Sequence, residues 1–252
     1  MTTTLEGRAV LITGAGHGIG RATALRMAAQ GAIVGINDIK QAFVDAAVAE
    51  VRAAGGQAVP VTQNVSSRDG IRAAVRTLAD AAGRFDVLVN NAAWVRYQAV
   101  ADIAPDTVER MLDVGFKSVI WGIQAAAEVM DAARGGSIVN VASVAGLRST
   151  ANSIVYSGIK AGIMGITRAA AAELGARHIR VNAVAPSAVP TEGTSKHRTA
   201  ENDARRIAQT PLGRLGTVDD IAKAICFLAG DEGSFVTGEV LTVDGGITSS
   251  FL

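Results

Sequence analysis

The chain has 252 residues, of which 49% are apolar and only 4% aromatic, with a formal net charge of +1. That length suits one α/β domain or at most two small ones, and so even a charge balance implies no bulk attraction to nucleic acid or to a membrane surface. No apolar run reaches the ~18 residues of a membrane span, and the opening "MTTTLEGRAV" lacks the basic and apolar regions of a signal peptide, so the expectation is a soluble cytoplasmic protein.

The first predicted strand is "AVLIT" (9–13), which runs directly into "TGAGHGIG" (13–20). A strand, a glycine-rich turn and a helix start together make an anion site. Backbone N–H groups and the positive helix end face a phosphate, and glycines let the backbone come close. The common GxGxxG spacing fails: Gly14 and Gly16 are present, but Ile19 stands where the third glycine belongs, and the working spacing is Gly14, Gly18, Gly20. A glycine cluster alone can be only a turn; its place at the first strand–helix junction favours a phosphate cradle. His17 lies inside it and reads as a cofactor-side contact rather than a catalyst.

The second strand, "AIVGIN" (32–37), ends at Asp38, about twenty residues past the glycine turn. A carboxylate there can accept hydrogen bonds from adenosine ribose hydroxyls. A 2′-phosphate would be repelled by about 4 kcal/mol per unit charge at ~4 Å and an effective dielectric near 20. The next residue is Ile39, not an arginine, which argues for NAD over NADP. The structural alternative is that Asp38 merely caps the next helix.

Strands "AVPVT" (58–62) and "DVLVN" (86–90) follow. Next comes "MLDVGFKSVIWG" (111–122), helical in its apolar spacing yet carrying Gly115 inside. A glycine within a helix costs roughly 1 kcal/mol relative to alanine, so its presence needs a reason. The fifth strand, "SIVNVA" (137–142), leads to Ser143, whose hydroxyl can donate to a substrate oxygen or simply cap the loop.

"YSGIK" then sets Tyr156 and Lys160 four residues apart, on one face of a helix. Free tyrosine has a pKa near 10. A neighbouring ammonium, or an oxidised nicotinamide cation, favours the phenolate. Tyr156 could then exchange a proton with an alcohol or carbonyl oxygen as hydride moves. Alone, YxxxK is common by chance; after a fifth strand, in a chain with a dinucleotide cradle, it reads as an acid–base pair.

The sixth strand is "IRVNAV" (179–184). After it comes the longest irregular stretch, "PSAVPTEGTSKHRT" (186–199), then a short helix near 200–209. This segment, about 187–210, reads as a substrate flap on a single domain. Cys226, in "IAKAICFLAG", reads as a buried small hydrophobe, and a lone cysteine forms no internal disulfide. "EVLTVD" (239–244) is the seventh strand. The strands are continuously rather than alternately apolar, which implies burial on both faces. Their alternation with helical segments predicts an α/β, Rossmann-type doubly wound parallel sheet flanked by helices. No cysteine–histidine or carboxylate cluster suggests a metal site.

Together these residues resemble the short-chain dehydrogenase/reductase family over about residues 5 to 247. "TGAGHGIG" matches its TGxxxGxG fingerprint, and "NNAA" (90–93) is similar to its NNAG element. Ser143, Tyr156 and Lys160 match its catalytic serine and YxxxK pair. "PLGRLG" (211–216) and "VTGEVLTVDGG" (236–246) are similar to its C-terminal signatures. The resemblance implies a seven-stranded parallel sheet, often in a homotetramer. It makes Tyr156 the acid/base and Ser143 the orienting hydroxyl. Lys160 would lower the pKa of Tyr156 and bind the nicotinamide ribose. Asn64 and Val65 would flank adenine, with the Asn64 amide oxygen accepting from it; Asn90 would lie along the cofactor, and Thr191 would contact the carboxamide.

Four departures from the family pattern stand out: Ala93 for the glycine of NNAG, Ser187 for the glycine after the sixth strand, Asn64 for a common aspartate, and Gly115. Gly115 occupies the position of an asparagine that holds a water linking the lysine to bulk solvent. Three readings are open: another group fills the gap, the relay is broken and the protein binds dinucleotide with little turnover, or the glycine gives a neighbour room. The expected substrate is a small or medium secondary alcohol or its ketone, against Trp94, Leu147 and Val189. Arg96, Arg148, Lys196, His197 and Arg198 could instead meet an anionic group, or be solvated loop charges.

Overall fold

A computed structural model describes residues 5–193 and 198–250. Seven strands form one sheet: β1 (Ala9–Ile12), β2 (Ile33–Asp38), β3 (Gln57–Thr62), β4 (Val87–Asn90), β5 (Gly136–Val141), β6 (Ile179–Pro186) and β7 (Val240–Val243). Their order is β3-β2-β1-β4-β5-β6-β7, and every neighbouring pair is parallel. All seven expected strands are present. Every residue of β1 and β4 is buried, as their unbroken apolar runs require.

The helices are α1 (Gly18–Ala28), α2 (Gln41–Ala53), α3 (Arg68–Ala82), α4 (Pro105–Leu112), α5 (Ser118–Val129), α6 (Ile154–Leu174), α7 (Ala200–Ala208) and α8 (Val218–Ala229). They cover both faces of the sheet. One apolar layer joins α1, α2 and α8 to the strands, through Met27, Val48 and Ile225 among others. The opposite layer holds Ile71 and Leu78 of α3 with Ala125 of α5 and Ala171 of α6. The expected helix near 200–209 is α7. Its cap, Thr199, accepts a hydrogen bond from the Asn202 N–H at 3.2 Å.

Strand order reverses between β1 and β4, and the crevice at their carboxyl ends is where such sheets take ligands. The seam between these strands is fixed by polar groups. Thr13 Oγ1 accepts from the Asn91 and Ala92 N–H groups, both at 3.0 Å. Deeper in, Asn90 Nδ2 donates to Asn140 Oδ1 (2.9 Å), and Asn140 Nδ2 donates to Thr167 Oγ1 (3.0 Å). A chain of satisfied buried amides of this kind ties β4, β5 and α6 in one register.

Between α4 and α5 the helix does not stop. It widens into a π-turn over Asp113–Lys117, centred on the buried Gly115. Packing does not demand the glycine: a Cβ at 115 would meet only Ile159 Cγ2, at an ordinary 3.5 Å. Gly122, seven residues on, is the opposite case, since a Cβ there would lie 2.5 Å from Asn90 Oδ1.

Candidate active site

The sequence-predicted residues collect at the carboxyl ends of β1 to β6. The turn 13–20 leaves β1, Asp38 closes β2, Asn64 and Val65 follow β3, and Asn90 closes β4. Ser143 follows β5, and Thr191 follows β6. Tyr156 and Lys160, from the first turns of α6, reach the same crevice.

The cradle is built by close backbone approach. A Cβ on Gly20 would fall 2.5 Å from the Gly14 carbonyl oxygen and 2.7 Å from Asn91 Nδ2. The small residues thus admit Asn91, whose amide donates to the Thr13 and Gly14 carbonyls at 2.9 and 3.0 Å. Helix α1 starts on Gly18 with His17 as its N-cap; the His17 side chain makes no capping bond, and its ring meets Phe43 edge-on with centroids 5.7 Å apart. Ile19 packs on the core below. Thr191 stands over Gly18, its Cβ and Cγ2 3.3 Å from the position a Gly18 Cβ would take.

Asp38 is buried beside the cradle. Its Oδ2 lies 2.7 Å from where a Gly16 Cβ would be, while Oδ1 accepts from the Lys40 N–H at 3.1 Å. The N-cap of α2 is Lys40, so Asp38 turns the chain into that helix without capping it.

Two side chains sit differently from expectation. Asn64 Oδ1 accepts from the Ser66 N–H (3.1 Å) and hydroxyl (2.8 Å), so the oxygen expected to face adenine is engaged in its own loop. The neighbouring Val65 is buried in the core. Asn90 turns its amide inward to Asn140; the amide that touches the cradle is that of Asn91, which sequence reasoning passed over. The doubled asparagine of "NNAA" was its signal, but adjacent strand residues face opposite sides, and only the register shows which one meets the turn.

Ser143 is the N-cap of a 3-10 turn over Val144–Gly146, and its Oγ accepts from the Ala145 N–H at 3.1 Å. The same hydroxyl bears on the Tyr156 phenol, lowering its pKa. Lys160 is buried, and its Nζ donates to the Val141 carbonyl at 2.6 Å, which anchors α6 to the end of β5. The ammonium lies 5.8 Å from the centre of the Tyr156 ring.

The expected acidification of Tyr156 by Lys160 is not what these surroundings produce. Burial pushes the phenol up to about 12, against a counteracting pull from Ser143 and with Tyr97 adding to the rise. Burial likewise pushes Lys160 down to about 8. Desolvation disfavours the charged form of each group, and the lysine donates its hydrogen bond to a backbone carbonyl instead of to the phenol oxygen. Tyr97, unremarked in the sequence, meets the Tyr156 ring edge-on at 5.7 Å. No motif marks it, because it lies in a loop whose spacing carries no period.

Around this pair, Trp94 stacks with the Arg110 guanidinium 4.3 Å from its ring centre, and Leu147 is half exposed. Val189, expected in the pocket wall, is buried in the core against α8. Arg148 Nη1 donates to the Ile247 carbonyl at 3.0 Å, and Arg198 pairs with Asp203. Lys196 and His197 lie outside the described residues. Ser187 donates its N–H to the Val243 carbonyl at 3.3 Å and is not in a left-handed conformation, so the family's glycine is not required by the backbone there. Burial pushes the Cys226 thiol up to about 12, which suits packing and not attack. Among the described residues no cluster of histidine, cysteine or carboxylate side chains could hold a metal ion, and no helix is long and apolar enough to cross a membrane.

Comparison with known proteins agrees with this geometry. A family model described as enoyl-(acyl carrier protein) reductase matches residues 14–248. The 3-oxoacyl-[acyl-carrier-protein] reductase FabG of Thermotoga maritima is 41% identical over 245 residues, covering 96% of this chain and 98% of that protein. The L-rhamnose 1-dehydrogenase (NAD(P)(+)) of a Sphingomonas strain is 38% identical, covering 96% and 97%. Among solved structures, a 3-oxoacyl-[acyl-carrier protein] reductase with bound NAD from Brucella melitensis superposes with a TM-score of 0.90 at 37% identity, covering 99% of this chain and 94% of that one. An oxidoreductase fold with a nicotinamide-dinucleotide cradle, the serine–tyrosine–lysine set beside it and near-complete coverage by these relatives place the chain in the short-chain dehydrogenase/reductase family.

Proposed function

We propose that the protein moves a hydride between NAD and a small or medium secondary alcohol or its ketone, with Tyr156 as acid/base. The observation that carries the reading is the convergence of Ser143, Tyr156 and Lys160 at the end of β5, beside the β1–α1 cradle. The residues fit a dinucleotide. The α1 N-terminus and its glycines suit the pyrophosphate, Asp38 suits adenosine ribose hydroxyls and opposes a 2′-phosphate, and Thr191 would contact the carboxamide. NAD, when bound, supplies the hydride acceptor and a positive ring.

Within that frame the chain's own groups divide the work. Ser143 orients the substrate oxygen and steadies it by a hydrogen bond. Tyr156 takes the alcohol proton, or returns it in the reverse direction. Its high resting pKa keeps the phenol protonated, so it is ready as an acid toward a ketone. As a base it needs positive charge near its oxygen, from the oxidised ring together with Lys160. Lys160, held on Val141, binds the ribose. The protein is further proposed to be cytoplasmic and homotetrameric.

Gly115 supports a second reading, a dinucleotide-binding protein with slow turnover, because it brings no side-chain amide toward Lys160. One assay separates the two: absorbance of reduced cofactor with NAD or NADP and a panel of secondary alcohols. Turnover with NAD that falls about 10²-fold or more in Tyr156→Phe, with NAD binding retained, is the expected result. Tight NAD binding without turnover on any substrate selects the second reading, and a preference for NADP removes the role given to Asp38.

A further inference from the structure

The segment after β6 reaches back to the cradle. Helices α3, α7 and α8 each carry their own N-terminal cap: Ser67, Thr199 and Thr217. Helix α1 has neither a capping side chain nor an acidic residue in its first turn. The anion at its positive end comes from 174 residues down the chain. Glu192 Oε2 accepts from the Gly18 N–H at 3.2 Å, and Oε1 accepts from Arg21 Nη2 at 2.9 Å. On its other side Arg21 Nε faces Glu50 Oε2 of α2 at 3.6 Å, a second carboxylate for the guanidinium. A cavity of about 420 Å³ opens beside this contact, lined by Arg21, Glu50, Pro190 and Arg198 among others, which leaves the carboxylate somewhere to swing.

A carboxylate and a phosphate ask the same things of a helix start: an N–H to accept from, the positive end of the dipole and a nearby cation. They cannot share one N–H, and at close range they repel. We propose that Glu192 is a competing latch, whose carboxylate holds Gly18 and Arg21 and yields them when a dinucleotide pyrophosphate seats. The inference rests on the dinucleotide-binding reading above. The Arg21 and Glu192 side chains keep 38% and 55% of their surface exposed, so the latch is weak and reversible.

The test is an NADH fluorescence titration with stopped-flow association, on the full chain and on Glu192→Gln, with Glu192→Ala as a second variant should the first fail to fold. The expected result is tighter NADH binding, by about 3- to 10-fold from loss of one surface ion pair and one like-charge contact. Association should be faster, and NADH should raise the melting temperature of the variant by more than it raises that of the wild type. Unchanged or weaker NADH binding in the variants, with wild-type binding intact, overturns the latch alone. A wild type that binds no NADH or NADPH overturns the dinucleotide reading, and the latch with it.

Discussion

The two sides of the crevice are specified by different means. On the cofactor side the main chain itself is in close approach: the Gly20 Cβ position lies 2.5 Å from the Gly14 carbonyl, and the Gly16 position lies 2.7 Å from the Asp38 carboxylate. Only glycine fits, so a side chain of any kind is excluded. On the substrate side, contacts run through rings and side-chain tips: Tyr97 meets Tyr156 edge-on, the Arg110 guanidinium lies over Trp94, Leu147 is half exposed, and Gly115 has room for a Cβ. Geometry made of the main chain tolerates one residue type, whereas geometry made of side-chain tips tolerates many.

Lys160 is the place where that contrast breaks, since it is a substrate-side residue fixed as tightly as any glycine. Its folded pKa of about 8 lies below the unfolded 10.5. Between those values the unfolded chain holds a proton that the folded one does not, so stability rises with pH through the window and falls again as pH drops to about 8. Tyr156 is pushed the other way, from 10.0 to about 12, and costs stability above pH 10. It is present in both proteins when wild type is compared with Lys160→Met, and cancels. Denaturant unfolding of the two across pH 7 to 11 should show the wild type gaining about 3 kcal/mol relative to the variant. A difference independent of pH would mean that the amine is not desolvated.

The second largest effect sharpens the contrast. Gly20→Ala forces a Cβ onto the Gly14 carbonyl and the Asn91 amide, an overpacking of about 1–3 kcal/mol. Because the strain falls on the atoms that shape the cradle, NADH affinity should drop by about 10- to 100-fold. Gly115→Ala, by contrast, should leave affinity and unfolding midpoint almost unchanged. Equal losses in both variants would erase the distinction between the two sides.

The same distinction explains what could be read from the sequence. Strands buried on both faces are unbroken apolar runs, so all seven were legible within a residue or two. The cradle was legible because close approach writes itself as glycine. Ser143, Tyr156 and Lys160 were legible through fixed spacing on one strand end and one helix. Asn91 was hidden behind Asn90 because the choice between them is a matter of strand facing. The orientation of Asn64 toward Ser66, the ring of Tyr97 against Tyr156 and the reach of Glu192 to Gly18 depend on contacts distant in sequence or on local loop bonds, which no periodicity records. Spacing shows that a lysine is near Tyr156 but not that burial pulls the phenol the other way.

Gly115→Asn is the smallest expected effect and the most discriminating. The π-turn exists with glycine at its centre, so the widened helix is a property of the backbone from Asp113 to Lys117 and does not need the asparagine. The Cβ position faces Ile159, one residue before Lys160, at 3.5 Å. A side chain planted there has room beside Ile159. If proton delivery to Lys160 limits the reaction, introducing an amide should raise turnover by a few-fold, with the largest gain below pH 8, where the lysine is protonated. NADH affinity and the unfolding midpoint should stay within error. A drop in turnover together with a raised KM would show that substrate uses the space beside Gly115. Unchanged turnover at every pH would show that the proton leaves by another route, and that the glycine is tolerated because nothing on this side of the crevice depends on position 115.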